Sequence, residues 1–173
     1  MRRAGGFSLI EVLVALIIIS VGLLGVAEMQ AASISNTNAA RMRSLAAIQA
    51  ASLSSAMKGN RAYWAANYPT IAVAGTTVTS SDATLNTAVN CNVGGSAPCT
   101  PAQLAAADLN EWVANYAALF PAGTATVACS SATTPISCTI QLAWSENLVY
   151  QAQQNGSSAA VLQNQTYTLY VQP

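Results

Sequence analysis

Residues 6–27 read GFSLIEVLVALIIISVGLLGVA, an apolar run that opens on a glycine and holds one acid, Glu11. As a helix rising about 1.5 Å per residue, the 21 residues from Phe7 to Ala27 span about 31 Å, which matches the hydrocarbon core of a bilayer. An ionisable side chain in such a segment costs about 2.5 to 3.5 kcal/mol on insertion scales, so Glu11 needs a compensating role. The plainest one is that it reaches the headgroups from near the helix end. The residues around it point to something more specific.

A short basic leader (Met1, Arg2, Arg3) precedes Gly6, and Phe7 and Ser8 follow it before Glu11 and the unbroken apolar stretch. This arrangement resembles the class III signal of type IV prepilins and pseudopilins. An ordinary secretory signal carries its small-residue cleavage site after the apolar core. Here the candidate site lies before it, so the apolar helix stays on the mature chain. The resemblance implies cleavage between Gly6 and Phe7 by a prepilin peptidase, then methylation of the new Phe7 amine. It also implies that Glu11 pairs with the amino terminus of a neighbouring subunit during assembly. Two opposite charges, each costly in lipid, offset one another only when the subunits sit in register.

The further run Ser20-Val21-Gly22-Leu23-Leu24-Gly25, ending near Glu28 and Gln30, is similar to the PilV-like minor pilins that act in type IV pilus biogenesis. The resemblance is carried by residues 1–30 and weakens beyond them. Ser8 stands where many relatives carry threonine, a change that keeps the hydroxyl. The implied fold is α+β and type IV pilin-like: a long N-terminal helix, half membrane-embedded and half amphipathic, packed on a small antiparallel sheet with an extra helix. The implied partners are other minor and major pilins, the prepilin peptidase and the inner-membrane assembly platform. The implied place is the bacterial inner membrane, spanned once, with the head in the periplasm and the subunit incorporated into the surface pilus, where it supports adhesion and twitching motility indirectly.

Composition sets further bounds. The 173 residues allow one long helix and one modest globular unit. Charged residues make up only 7%, against about a quarter in ordinary domains, so Ser, Thr, Asn and Gln must supply the polar surface. The six basic and six acidic side chains balance, and losing Arg2 and Arg3 with the leader leaves four against six. No basic patch remains to follow a phosphate backbone, so no nucleic-acid partner is expected. Arg2 and Arg3 ahead of the apolar run keep that end cytoplasmic, and the C-terminal part is exported.

Export agrees with the cysteines. Cys91, Cys99, Cys129 and Cys138 form two close pairs, and an oxidising compartment permits disulfides in a small domain. Of three connectivities, Cys91 with Cys99 and Cys129 with Cys138 is favoured, because turn formers lie between the members of each pair. A zinc site is the rival, but there is no CxxC and no histidine, so neither a metal nor another cofactor is expected.

Past Ala27 no proline interrupts the chain until Pro69. Met42, Leu45, Ala46, Leu53, Ala56 and Met57 fall at helical spacing, with Gln49 as the one break in the stripe. The spacing predicts one helix over residues 7–58, with 7–27 transmembrane, a stop at Gly59 and Lys58 suited to the last turn. This divides the chain into leader (1–6), long helix (7–58) and periplasmic head (59–173). Gly22 and Gly25 either loosen the helix or let it pack closely in the membrane. In the head, Tyr63, Trp64 and Tyr68 cover the helix, residues 71–79 read as a strand and residues 80–98 as loop. Thr100 and Gln103 have capping-box spacing with Pro101 at the first helical position. Leu109, Trp112, Val113, Tyr116, Leu119 and Phe120 then line one face up to Pro121 and Gly123. Asp108 and Glu111 lie opposite, a solvated face by the simplest reading and an acid–base pair by the sharper one.

Ile136, Cys138, Ile140, Leu142 and Trp144 alternate with polar residues as a strand does, and residues 124–129 supply the preceding strand. Pairing Cys129 with Cys138 also sets Val127 opposite Ile140, so the apolar pattern and the proposed disulfide demand the same hairpin. Residues 145–165 read as a polar loop and 166–171 as a last strand with Tyr167, Leu169 and Val171 inward. The sequons at Asn155 and Asn164 read as chance occurrences.

The function expected is that of a structural and assembly protein, a minor pilin acting in initiation or at the tip. With no histidine, one lysine (Lys58) and no glycine-rich phosphate loop, nucleophilic and nucleotide chemistry lack their parts, and no enzyme is expected. The alternatives are a type II secretion pseudopilin, a competence pilin and, from a different class, a membrane-anchored periplasmic enzyme.

Overall fold

The computed structural model describes residues 8–91, 98–130, 135–148 and 161–173. One α-helix, α1 (Leu9–Gly59), runs 51 residues, about 76 Å at 1.5 Å per residue. Ser8 precedes it in an extended conformation and lends no side-chain cap. The helix ends one residue beyond the expected Lys58. The Asn60 N–H bonds the carbonyls of Ala56 and Met57 and closes the last turn, so Gly59 stays helical. Asn60 is buried, and its Nδ2 donates to the Pro101 carbonyl at 2.7 Å, which ties the end of α1 to a second part of the head. A single turn, α2 (Arg61–Trp64), buries Tyr63 and Trp64.

The sheet has five antiparallel strands in the order β2-β1-β3-β4-β5, where β1 is Thr70–Ala74, β2 Thr77–Ser80, β3 Thr124–Ser130, β4 Ser137–Leu148 and β5 Val161–Val171. Where the sequence reads as one strand over 71–79, the structure has the β1–β2 hairpin. Gly75 takes φ +57° at the first position of its two-residue turn, as a II′-type connection requires. The expected loop from 80 to 98 contains a 3₁₀ turn, Ala83–Asn86, started by the Asp82 carboxylate accepting from the Thr84 N–H at 2.9 Å. Leu85 from that turn is fully buried. The expected loop over 145–165 is also corrected: β4 continues to Leu148 and β5 starts at Val161, paired in register from Leu148↔Val161 to Cys138↔Val171. A ladder is made of backbone groups, which polar side chains do not forbid when alternate residues face water. The Asn164 sequon therefore lies within β5, and the Asn155 sequon outside the described residues.

The third helix, α3 (Pro101–Leu119), begins with the capping box read from the sequence: Thr100 Oγ1 accepts from the Gln103 N–H and Gln103 Oε1 from the Thr100 N–H. It packs beside the second half of α1, and α1 also lies against β4 and β5. Ala46, Ala50, Leu53 and Met57 from α1 meet Leu109, Trp112, Val113, Tyr116 and Phe120 from α3 over Ile71, Val127, Ile140 and Leu142 of the sheet. Leu119, expected on the buried face, is 37% exposed. Gln49, the break in the α1 stripe, offers its carbonyl to Trp112 Nε1 at 2.8 Å. Tyr116 Oη lies 2.9 Å from the Thr124 carbonyl and 3.0 Å from that of Ala143, register partners on β3 and β4, so one side chain of α3 fixes where the central hairpin starts. The chain leaves α3 through Pro121 and Ala122, the latter at φ +62°. A Cβ on Gly123 would come within 2.9 Å of the Phe120 carbonyl and Tyr116 Oη, so only glycine fits.

Candidate functional site

The first three turns of α1 are built from β-branched and leucine side chains around one acid, and every residue from Ser8 to Ala31 is exposed. Leu9 is 78% exposed and Leu24 72%, and with the exposed aliphatic residues between them they make a contiguous apolar surface of the kind that marks a membrane or protein contact. Among the described residues α1 is the one helix long and apolar enough to cross a membrane, and none of its apolar window is buried against the head. Glu11 stands in the first turn, where the partial positive charge of the helix N-terminus favours a carboxylate. Its N–H bonds the Ser8 carbonyl at 3.0 Å, and its side chain is exposed on the same surface as the aliphatic residues. Gly6 and Phe7, the expected cleavage and methylation sites, lie outside the described residues.

The cysteines stand apart from Glu11, in the head. Disulfides join Cys91 to Cys99 and Cys129 to Cys138. The second pair are direct partners in the β3–β4 register, with Val127 opposite Ile140 two residues on. Cys138 is buried and Cys129 half-buried against the core. Among the described residues no group of three or more His, Cys, Asp or Glu is placed to hold a metal ion.

Asp108 and Glu111 border a shallow groove between α1 and α3 with Gln49, Ser52 and Trp112. Burial, then the neighbouring Glu111 charge, pushes the Asp108 carboxyl above its usual range. Tyr63 Oη donates to Asp82 at 2.5 Å, joining α2 to the 3₁₀ turn. Burial first, then that bond to Asp82, lifts Tyr63 far above the ordinary phenol, while Tyr63 and the Thr84 N–H hold Asp82 low. Burial also pushes Tyr116 up to about 12. The Tyr63–Asp82 bond and the two contacts of the Tyr116 hydroxyl brace the head.

Besides Asp82, one further acid escaped the sequence reading. Glu146 sits on β4, where it is 6% exposed, with Oε1 accepting from Trp144 Nε1 at 2.8 Å. The signal was present: Ile140, Leu142 and Trp144 face inward, and two residues further on the same face is Glu146.

The prokaryotic N-terminal methylation motif matches residues 1–27. No curated protein and no solved structure matches the chain. The N-terminal segment is thus a prepilin-type methylation signal, of the kind type IV pilins and pseudopilins carry, continuous with an apolar helix that fits a membrane anchor.

Proposed function

We propose that the chain is a minor pilin of a type IV pilus, made as a single-pass inner-membrane precursor with its head in the periplasm and drawn into the fibre with other minor and major pilins. The observation that carries this reading is the methylation motif over residues 1–27 on a helix whose apolar half nothing in the head covers. A prepilin peptidase would cut between Gly6 and Phe7 and leave a methylated amine on Phe7. Glu11, one turn into the mature helix, would then receive the amine of a neighbour. Each charge is costly in lipid alone, so their pairing makes addition to the fibre depend on the register of subunits. Partners, export and fibre incorporation are parts of this proposal.

The test is to shear surface fibres from the native host and determine the N-terminus of this chain by mass spectrometry. The expected species begins at methylated Phe7. Intact Met1 in assembled fibres, or cleavage after the apolar run, would overturn the reading. A chain processed at Phe7 but confined to membranes, whose loss stops protein secretion and leaves the fibres unchanged, would assign it instead to a type II secretion pseudopilus.

A further inference from the structure

The Glu146 carboxylate is half satisfied. Oε1 takes the Trp144 indole N–H, whereas Oε2 is buried and meets no hydrogen-bond partner among the described residues. A buried carboxylate oxygen without a donor is costly, because the hydration it has lost is not replaced. Glu146 also lines a groove of about 350 Å³, formed by Ala31, Ile34, Asn38 and Met42 of α1 with Ser145 and Glu146 of β4. The groove opens where α1 emerges from the head, and Ile34 on its wall is 64% exposed. Arg43, next to Met42, is turned elsewhere, its Nη2 donating to Gln165 Oε1 at 3.2 Å.

We propose that this groove receives an arginine or lysine side chain from the helix of a neighbouring pilin-type subunit, its cationic head bonding Glu146 Oε2. The chemistry of the walls fits such a guest. Alanine, isoleucine and methionine suit the aliphatic stem, and among the described residues the one charged group lining the groove is Glu146. The position fits as well, since the groove continues the exposed apolar surface of α1, the surface that must face other helices once the chain leaves lipid. The inference rests on the fibre assembly proposed above and adds a second polar contact to it, at the level of the head rather than at the N-terminus.

The experiment uses the full chain in its native host. Glu146→Gln keeps the volume and the acceptor for Trp144 but removes the charge, and protease resistance of the head verifies folding. The expected result is normal processing with at least about a thirtyfold lower content in sheared fibres, the lower end of the effect expected when a buried charge pair loses one member. Arg41→Gln, an exposed change on the same helix, should leave the content unaltered. An equal loss there would show that removing any charge from this part of the chain lowers incorporation and would overturn the proposal. A benzophenone side chain at Ile34 should crosslink, by mapped peptides, within two helical turns of an arginine or lysine of another subunit. Exchanging that residue for glutamate together with Glu146→Arg should restore incorporation. Wild-type fibre content for Glu146→Gln, or a crosslink to lipid or to a segment without a basic residue, would overturn the groove assignment. If the chain is absent from fibres but crosslinks in membranes to a basic helix, the groove assignment stands and the fibre reading fails.

Discussion

Glu11 and Glu146 are acids under opposite constraints, one exposed on a lipid-compatible helix and the other walled in by the head. Glu11→Ala removes the charge that makes insertion costly and, on the proposed assembly role, would leave a neighbour's amine without a counter-ion. The variant should insert and be cleaved as the wild type is, yet be depleted from sheared fibres. Equal amounts of the two in fibres would refute the registry role. Asp82 and Asp108 are acids whose environments act in opposite directions on stability. The Tyr63 hydroxyl, then the Thr84 N–H, make folded Asp82 harder to protonate than in the unfolded chain. Its contribution is therefore fully present above the ordinary value of 3.8 and is lost as pH falls through the lowered one. Asp108, raised by burial and by Glu111, subtracts stability above its raised value, and the subtraction vanishes on acidification below 3.8. Melting of the detergent-solubilised chain against pH should show Asp82→Asn less stable and Asp108→Asn more stable at neutral pH. Both differences should disappear in acid; differences that persist there would contradict the assignment.

The β3–β4 hairpin joins two kinds of restraint, an apolar register and the Cys129–Cys138 bond. In the chain-entropy treatment a loop closed over a separation of 9 residues stabilises by roughly 2 to 3 kcal/mol. Replacing both cysteines by alanine should lower the melting temperature of the head by about 10 °C, with processing at Gly6 unaltered. A melting temperature that does not move would show the bond adding nothing to a hairpin already held by packing. This hairpin was legible because alternation and cysteine spacing gave the same answer independently, and α3 was legible because Thr100, Pro101 and Gln103 form a complete start signal. The β1–β2 turn was not. Gly75 lies within a run of β-forming residues, and nothing local separates a strand containing glycine from a hairpin. The outer halves of β4 and β5 were missed because Gln, Asn and Ser read as loop, whereas the pairing there is backbone to backbone. Glu146 was hidden by the same error, since its burial follows only once β4 is known to continue past Trp144. The anchoring segment was legible from composition alone, because a 21-residue apolar run needs no tertiary partner to be recognised.

Across the whole molecule, one unbroken hydrogen-bonded rod serves both environments: the first half of α1 is bare, and the second supplies one wall of the head core. The two disulfides of the head each close a local loop, with separations of 8 and 9 residues, and neither crosses from α1 to the sheet. This placement has a mechanical consequence. A load applied between the two chain ends meets only packing and hydrogen bonds where α1 lies against β4 and β5, so this contact yields before any covalent link is stretched. The stapled loops stay out of the extension. Single-molecule pulling should give a fully unravelled length about 50 Å shorter under oxidising than under reducing conditions, at about 3.6 Å per residue. The head would behave as a tether that pays out slack early while the loops at Cys91–Cys99 and Cys129–Cys138 remain shut, able to refold from them once tension falls.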